Sequence, residues 1–399
     1  MIKRLIEDAG SLAARIVVIG EAGGARENET GKLFAGPTGW RLNDWLAAAG
    51  LQRANCYLTN TYPFQPPANK LDAVPAADRA VWVEALHQRL AALHDPYVIV
   101  PTGDYALQAL IGRKGAHANR GFIMSYTDTN GRTIKVIPTI HPARTFREPY
   151  LEGRCRRDWQ RIAVDATFKE LRLPQWEHYV TPTLSDLAAF YEDVRTKADA
   201  LSVDIETFGG AGRAFAADPP ISCVGFAYSD TFSLVVPTSP RDWPTRADYE
   251  MAWTWIAALC ALPVPKVLQN GNYDWYWLAD KGIRPINWEF DCGSMHHALD
   301  AADEHSLNHM ASLDMRMAPW KHIPKDADAR LAFPSDAQAV RVYCGIDNIV
   351  QWSLANTYAA RLGPHLPFYQ QHYRDMFLPL LDLMRHGIAV DRDAQTRRS

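Results

Sequence analysis

Apolar, β-branched runs recur through the first 140 residues, at 15–19, 56–60, 97–101 and 133–138. Each but the last leads into helix-like periodicity. In the first such stretch Leu42, Trp45, Leu46 and Ala49 fall at i, i+3, i+4 and i+7, and Gly50 supplies the stop. Strands alternating with helices predict an open, mostly parallel sheet whose functional loops lie at the carboxyl ends of its strands. The pattern lapses around 173–178, and Thr181-Pro-Thr-Leu-Ser-Asp186 reads as a new helix start capped by Ser185. A domain boundary is expected there, separating residues 1–174 from a second domain over 175–365. That second part opens with the strand Leu201–Thr207. Two apolar runs follow, 221–228 and 231–236, separated by Ser229-Asp230 as in a hairpin, and then helices dominate. Strands first and helices after predict an α/β domain with a mixed sheet.

Composition narrows the class. At 399 residues, 47% hydrophobic and 22% charged, long disorder, a collagen-like fibre and a disulfide scaffold are excluded. Six cysteines with no CxxC pair fit reduced thiols. No apolar run reaches the roughly 18 residues that a membrane span needs. A cytoplasmic protein is therefore expected, bacterial or in a virus-infected host, with no membrane partner. The net charge of −3 conceals a split: residues 1–174 carry 23 Lys and Arg against 17 Asp and Glu (+6), the remainder 19 against 28 (−9). A basic half suits a phosphate-backbone partner, whereas an acidic half needs metal ions to approach one.

In the acidic half, Asp204 and Glu206 stand two apart on a strand, so both side chains leave the same face. Asp274 follows the short strand at 266–270, near a helix start, and Tyr343 and Asp347 share one helical face at i and i+4. Four carboxylates in one pocket cannot all stay ionised without cations. Hard, oxygen-ligated ions such as Mg²⁺ or Mn²⁺ solve this, and two of them can activate water and stabilise the leaving oxygen of a phosphodiester. The order Asp-x-Glu, Asn-x3-Asp, Tyr-x3-Asp resembles the DEDD-type 3′–5′ exonucleases with tyrosine in the last motif. Within that group it is similar to the proofreading domain of family A DNA polymerases, over about residues 180–365.

The resemblance implies a ribonuclease H-like domain, two Mg²⁺ or Mn²⁺ ions, and a role for each matching residue. Asp204, Glu206 and Asp347 would hold the ion that carries the attacking water, Asp204 and Asp274 the second ion, and Tyr343 would orient the water. Asp291 and His305 are expected to be structural, satisfying nearby helix ends, while Trp275, Tyr276 and Trp277 serve either base stacking or the core. The segment from Phe377 to Asp391, a helix ended by Gly387 and a turn, resembles the start of the polymerase region in the same enzymes. Residues 366–399 are accordingly read as a truncated polymerase region, completed by a missing region or a separate polymerase subunit, with a viral origin in keeping with the unusual front end. Expected substrates are single-stranded or frayed 3′ ends of DNA, uracil-containing strands included. Ribonuclease D-like exoribonucleases share the catalytic set and are the alternative.

The basic half carries Gly20-Glu-Ala-Gly-Gly24 after the first strand, Gly31-Lys-Leu-Phe-Ala-Gly-Pro-Thr-Gly39, Leu58-Thr-Asn-Thr-Tyr-Pro-Phe64 and Pro138-Thr-Ile-His-Pro-Ala-Arg144. The glycine loop lacks the GxGxxG spacing of a dinucleotide site. The last three motifs, in this order over about residues 12–165, resemble the uracil-DNA glycosylase superfamily, in particular its family 4, and imply a three-layer α/β/α domain. By that likeness Phe34 would stack on an extruded uracil, Asn60 would read its amide edge, and His141 would donate to the base oxygen that gains charge. Glu21 would position water, Arg144 and Arg147 would meet phosphates, and Phe146 would wedge into the duplex. Gly23 stands where that family has proline and Ala143 where many relatives have serine. Family 4 enzymes hold an iron–sulfur cluster on four cysteines, one at the position of Phe64; residues 1–15 contain no cysteine, and no cluster is expected. A DNA-binding module with an inactive glycosylase fold is the other reading of this half.

Overall fold

The computed structural model describes residues 4–207, 221–321 and 334–387. The chain divides into two compact units, Met1–Pro174 with Ser312–Pro319, and Gln175–Ala311 with Trp320–Ser399.

The first unit is built on strands β1 (Ile16–Ala22), β2 (Cys56–Tyr62), β3 (Val98–Pro101), β4 (Met124–Thr127) and β5 (Thr133–Val136), in the order β2-β1-β3-β5-β4. All pairings are parallel except that of β4 with β5. Alternate residues of β1 feed opposite cores, the consequence of a two-residue pleat period. Ile16 and Val18 pack with Leu42, Trp45, Trp159 and Ile162 from helices Pro37–Ala48 and Leu151–Asp165. Val17 and Ile19 pack with Leu86, Leu90, Leu107 and Leu110 from helices Ala76–Ala91 and Asp104–Ile111. The result is a three-layer α/β/α unit.

Two elements depart from the sequence expectation. The last strand is also followed by a helix, Leu151–Asp165, delayed by the short turn Pro142–Thr145. Edge strand β4 alternates buried and exposed residues over only four positions, too short a signal to stand out. Ser312–Pro319, which lies in sequence within the second domain, groups with the first unit. Ile123 N donates to Met317 O (2.9 Å), the Arg161 guanidinium donates to the carbonyls of Leu313 (2.7 Å) and Met315 (2.6 Å), and Arg316 pairs with Asp165 (2.6 Å).

The second unit holds β6 (Glu177–Tyr179), β7 (Leu201–Thr207), β8 (Ile221–Ala227), β9 (Phe232–Pro237), β10 (Lys266–Leu268) and β11 (Trp288–Asp291), ordered β11-β10-β7-β8-β9-β6. β7, β8 and β9 are antiparallel neighbours and the remaining pairs are parallel, which is the expected mixed, ribonuclease H-like sheet. Helix Leu184–Lys197 is capped by Thr183, not Ser185: Asp186 N donates to Thr183 Oγ1 (3.3 Å) and Thr183 N to Asp186 Oδ2 (2.8 Å), a reciprocal box that places the start earlier.

Leu201, Val203 and Ile205 of β7 enter the apolar core with Phe190, Val194, Ile256 and Leu259. On the opposite face of β7, Ser202, Asp204 and Glu206 meet the long helix Pro334–Leu362: Ser202 Oγ lies 3.0 Å from Asn348 Oδ1, and Asp204 accepts from Gln351. That approach depends on Gly225 in β8, where a Cβ would stand 2.3 Å from Asn348 Nδ2 and 2.6 Å from Cys344 Sγ. Trp277 is core, Tyr276 packs against that core, and Trp275 lies against Trp288 and Phe377. All three therefore serve packing. Helix Leu366–His386 ends at Gly387 (φ +67°), whose N–H donates to Leu383 O at 2.9 Å. The turn expected at 388–391 lies outside the described residues. Among those described, no helix is long and apolar enough to cross a membrane.

Candidate active sites

In the first unit, the carboxyl ends of β1, β2 and β3 and the loop after β5 surround a cleft of about 520 Å³. Glu21, Phe34, Asn60, His141, Arg144 and Arg147 all line it, whereas Phe146 is not among its walls: the ring is exposed, with the Arg41 guanidinium 5.1 Å from its centroid. Asn60 is 3% exposed, yet its Nδ2 has no hydrogen-bond partner among the described residues. Such a donor is costly to bury unless something else accepts from it. Gly20 makes room for this side chain: a Cβ there would meet Asn60 Oδ1 at 2.2 Å and Phe34 Cζ at 2.9 Å.

Phe34 has a backbone φ of +46°, a left-handed conformation rare for an aromatic residue. It is over-determined by its neighbours. Glu27, buried, accepts from Gly24 N at 2.6 Å and from Phe34 N, while Arg53 donates to the carbonyls of Leu33 and Phe34. Glu27 is a supporting residue of the site that the motif reading missed: it reaches back to Gly24 N, but glycine has no side chain to return the bond and so leaves no capping-box signature. The Phe34 and His141 rings stack, centroids 6.5 Å apart and planes 27° apart.

Burial, with help from the nearby Arg147 charge, pushes His141 down to about 4. Its Nδ1 accepts from Ala143 N at 3.2 Å, so the single proton of the neutral ring sits on Nε2. Burial, with Asp72 and Asp104 nearby, raises the Glu21 carboxyl above its ordinary value. Arg144 is engaged by Glu148 at 2.7 and 3.1 Å, while Arg147 makes no side-chain ion pair among the described residues.

In the second unit, one carboxylate oxygen from each of Asp204, Glu206 and Asp347 lies within 4.8 Å of the others. Asp274, expected beside Asp204 at a second ion, stands outside this group of three. Its Oδ1 accepts from Ile205 N at 2.9 Å, which fixes it beside β7, and burial with Glu206 and Asp291 nearby raises it to about 7. Tyr343 is buried, and desolvation with Asp347, Glu206 and Asp204 around it drives its phenol far above the ordinary value, so the hydroxyl keeps its proton. Two neighbours of Asp347 had no sequence signal. Trp320 Nε1 donates to its Oδ1 at 2.5 Å, and Lys321 Nζ donates to Oδ1 at 2.9 Å, to Oδ2 at 2.8 Å and to the Tyr343 hydroxyl.

Asp291 takes the expected structural role, accepting from Ser294 N and Gly271 N, both at 3.1 Å. His305 does not satisfy a helix end. Its two ring nitrogens instead meet His296 Nδ1 (2.8 Å) and His297 Nδ1 (3.1 Å).

Comparison with known proteins bears on the first unit. The Uracil DNA glycosylase superfamily profile matches residues 7–164. Type-4 uracil-DNA glycosylase of Archaeoglobus fulgidus is 30% identical over 169 residues, covering 39% of this chain and 79% of that protein. The same enzyme of Thermotoga maritima is 33% identical over 146 residues, covering 35% and 69%. The chain belongs, through this unit, to the uracil DNA glycosylase superfamily. Its curated relatives carry the type-4 name, Pyrobaculum aerophilum included at 27% identity and 80% of that protein's length. Among solved structures, the POL domain of Pol1 from M. smegmatis with DNA primer-template and dNTP is 16% identical with a TM-score of 0.40, covering 54% of this chain and 33% of that one. Trypanosoma brucei RNase D with RNA is 14% identical with a TM-score of 0.33, covering 47% and 63%. This chain thus spans about a third of the polymerase structure's length.

The iron–sulfur cluster that the family 4 likeness implies does not fit these residues. Residues 1–174 contain two cysteines, Cys56 and Cys155, both buried in one apolar core cluster. A cluster needs four thiolates.

Proposed function

We propose that the chain excises uracil from DNA in the cleft of the first unit and shortens DNA strands from their 3′ ends at the acidic group of the second, as the front part of a family A-type DNA polymerase. One observation carries the reading: the buried Asn60 amide nitrogen, lacking a partner among the described residues, beside Phe34 and the Nε2–H of His141. A uracil edge offers an acceptor to that nitrogen and an N–H to Oδ1. Phe34 supplies a face to stack on. Neutral His141 donates from Nε2 to the base oxygen that becomes negative as the glycosidic bond breaks, a stabilisation that grows along the reaction coordinate. Glu21 orients water toward the sugar carbon. The test is incubation of uracil-containing and thymine-containing oligonucleotides followed by alkali. Strand scission at uracil alone is expected; uracil strands left intact would reduce this unit to a binding module.

The exonuclease reading rests on the three convergent carboxylates and on the motif order. Their oxygen donors suit hard divalent ions, and Asp204, Glu206 and Asp347 would hold them, with Asp274 available from the adjoining helix. Bound there, Mg²⁺ or Mn²⁺ would neutralise the acids and supply an activated water for phosphodiester hydrolysis. Tyr343 keeps its proton and positions the water by hydrogen bonding, since general-base work is closed to it.

Two expected outcomes test the glycosylase geometry. Gly20→Ala brings a methyl into Asn60 and Phe34, so uracil excision should fall by about tenfold or more with the fold retained, measured as single-turnover rate beside a thermal melt. His141 should titrate near 4 in the folded protein, with no inflection near 6.5, in an NMR titration of the ring. The unfolded chain then binds a proton between these values that the folded chain refuses. This contribution to stability is complete above pH 6.5 and is lost as pH falls toward 4.

A further inference from the structure

Three acids within 4.8 Å of one another repel in the second unit, and a nearby positive charge relieves that repulsion. That charge is present as a side chain. Lys321 Nζ spans both oxygens of Asp347, at 2.9 and 2.8 Å, and also donates to the Tyr343 hydroxyl. Its ammonium lies 4.4 Å from the Tyr343 ring centroid and 4.8 Å from that of Trp320, so two aromatic faces reinforce the position. Trp320 Nε1 takes a further place on Asp347 Oδ1. That oxygen therefore already accepts two hydrogen bonds, as many as its lone pairs allow.

We propose that Lys321 is the resident cation of the acidic site and that a divalent ion binds Asp347 only by displacing it. The proposal rests on the metal-site reading above and extends it to the order of events. A divalent ion coordinated by Asp347 and an ammonium on the same carboxylate would stand a few ångström apart with like charge, in surroundings that screen poorly. The two occupants exclude one another. Lys321 is suited to leave, because its side chain remains 30% exposed and its flexible stem lets the ammonium swing into water, where it is strongly hydrated. The site is consequently closed by its own side chain at low divalent concentration and opens as the ion concentration rises. Lys321 is a positioning residue in this scheme: it holds Asp347 and Tyr343 together until the ion takes over the carboxylate.

The test is direct binding of Mn²⁺ to the full chain, followed by the electron paramagnetic resonance signal of the free ion, with no substrate present. Lys321→Met removes the competitor and keeps the length of the stem, and should bind Mn²⁺ at least fivefold more tightly than the unaltered chain. Lys321→Arg retains the charge and should bind as weakly as the unaltered chain. Lys321→Gln, which keeps a polar end, serves as the second neutral variant should the methionine change fail to fold. Equal or weaker binding by folded neutral variants, with Glu206→Gln abolishing it, would overturn the role of Lys321 while leaving the metal site intact. No Mn²⁺ bound by any variant, with folds intact, would overturn both.

Discussion

Asn60→Ala is expected to lower uracil excision by about 100-fold or more, while leaving the thermal midpoint unchanged or slightly raised. The loss follows from removing both polar atoms that would read the base edge inside a water-poor cleft, where each well-placed hydrogen bond is worth about 1–3 kcal/mol. The neutral or favourable effect on stability follows from the unpartnered amide nitrogen. Asn60 Nδ2 is buried without a partner among the described residues, so the folded state bears its desolvation with no return until a ligand arrives. An interior asparagine that held the fold together would behave in the opposite way, with alanine costing stability. A rate measured under single-turnover conditions and a melt of the same preparation separate the two. Parallel falls in activity and stability would assign Asn60 to the core and remove the main support for a base pocket.

The second large effect concerns the acidic group. Glu206→Gln should reduce Mg²⁺-dependent shortening of 3′ ends by about 100-fold or more, since even residues one shell removed from a metal contribute 10–100-fold. Glutamine preserves shape and removes one charge from a group of three, so no loss of fold is expected. Asp274→Asn should be milder, because Asp274 lies outside the three-acid group and already anchors to the Ile205 amide. The ranking of the two variants, read from labelled single strands, separates the contribution of the three-acid group from that of the second ion expected between Asp204 and Asp274. RNA strands degraded in preference to DNA would turn the reading toward exoribonuclease action.

Legibility of this chain in its sequence follows physical lines. The parallel strand Ile16–Ala22, buried on both faces, announces itself by the continuous apolar run at 16–19, and Cys56–Tyr62 by its β-rich start, although Thr59, Asn60 and Thr61 are polar. The mixed sheet was equally readable, through the order of the second part, strands first and helices after. Short edge strands were not: Glu177–Tyr179 has three residues, partly exposed, and its partner begins at Phe232, far along the chain. In the cleft, motif order located Phe34, Asn60 and His141, but not Glu27, whose work is on backbone amides and leaves no chemical motif. Lys321 was invisible for a different reason. It sits 26 residues before Asp347 in a stretch without periodicity, and only the tertiary fold makes it a partner of that acid. Asp274 shows the converse limit, since spacing placed it near a helix start without revealing that the Ile205 amide would claim its carboxylate.

The two proposed chemistries have opposite metal requirements. They meet in one reaction, an oligonucleotide with an internal uracil and a mismatched, labelled 3′ end, incubated with the full chain and Mg²⁺ and then repeated with excess chelator. The account predicts that chelator abolishes loss of the 3′ label and leaves the alkali-labile break at uracil at its original rate. Uracil release that stops with the chelator, or 3′ shortening that continues in its presence, would contradict it.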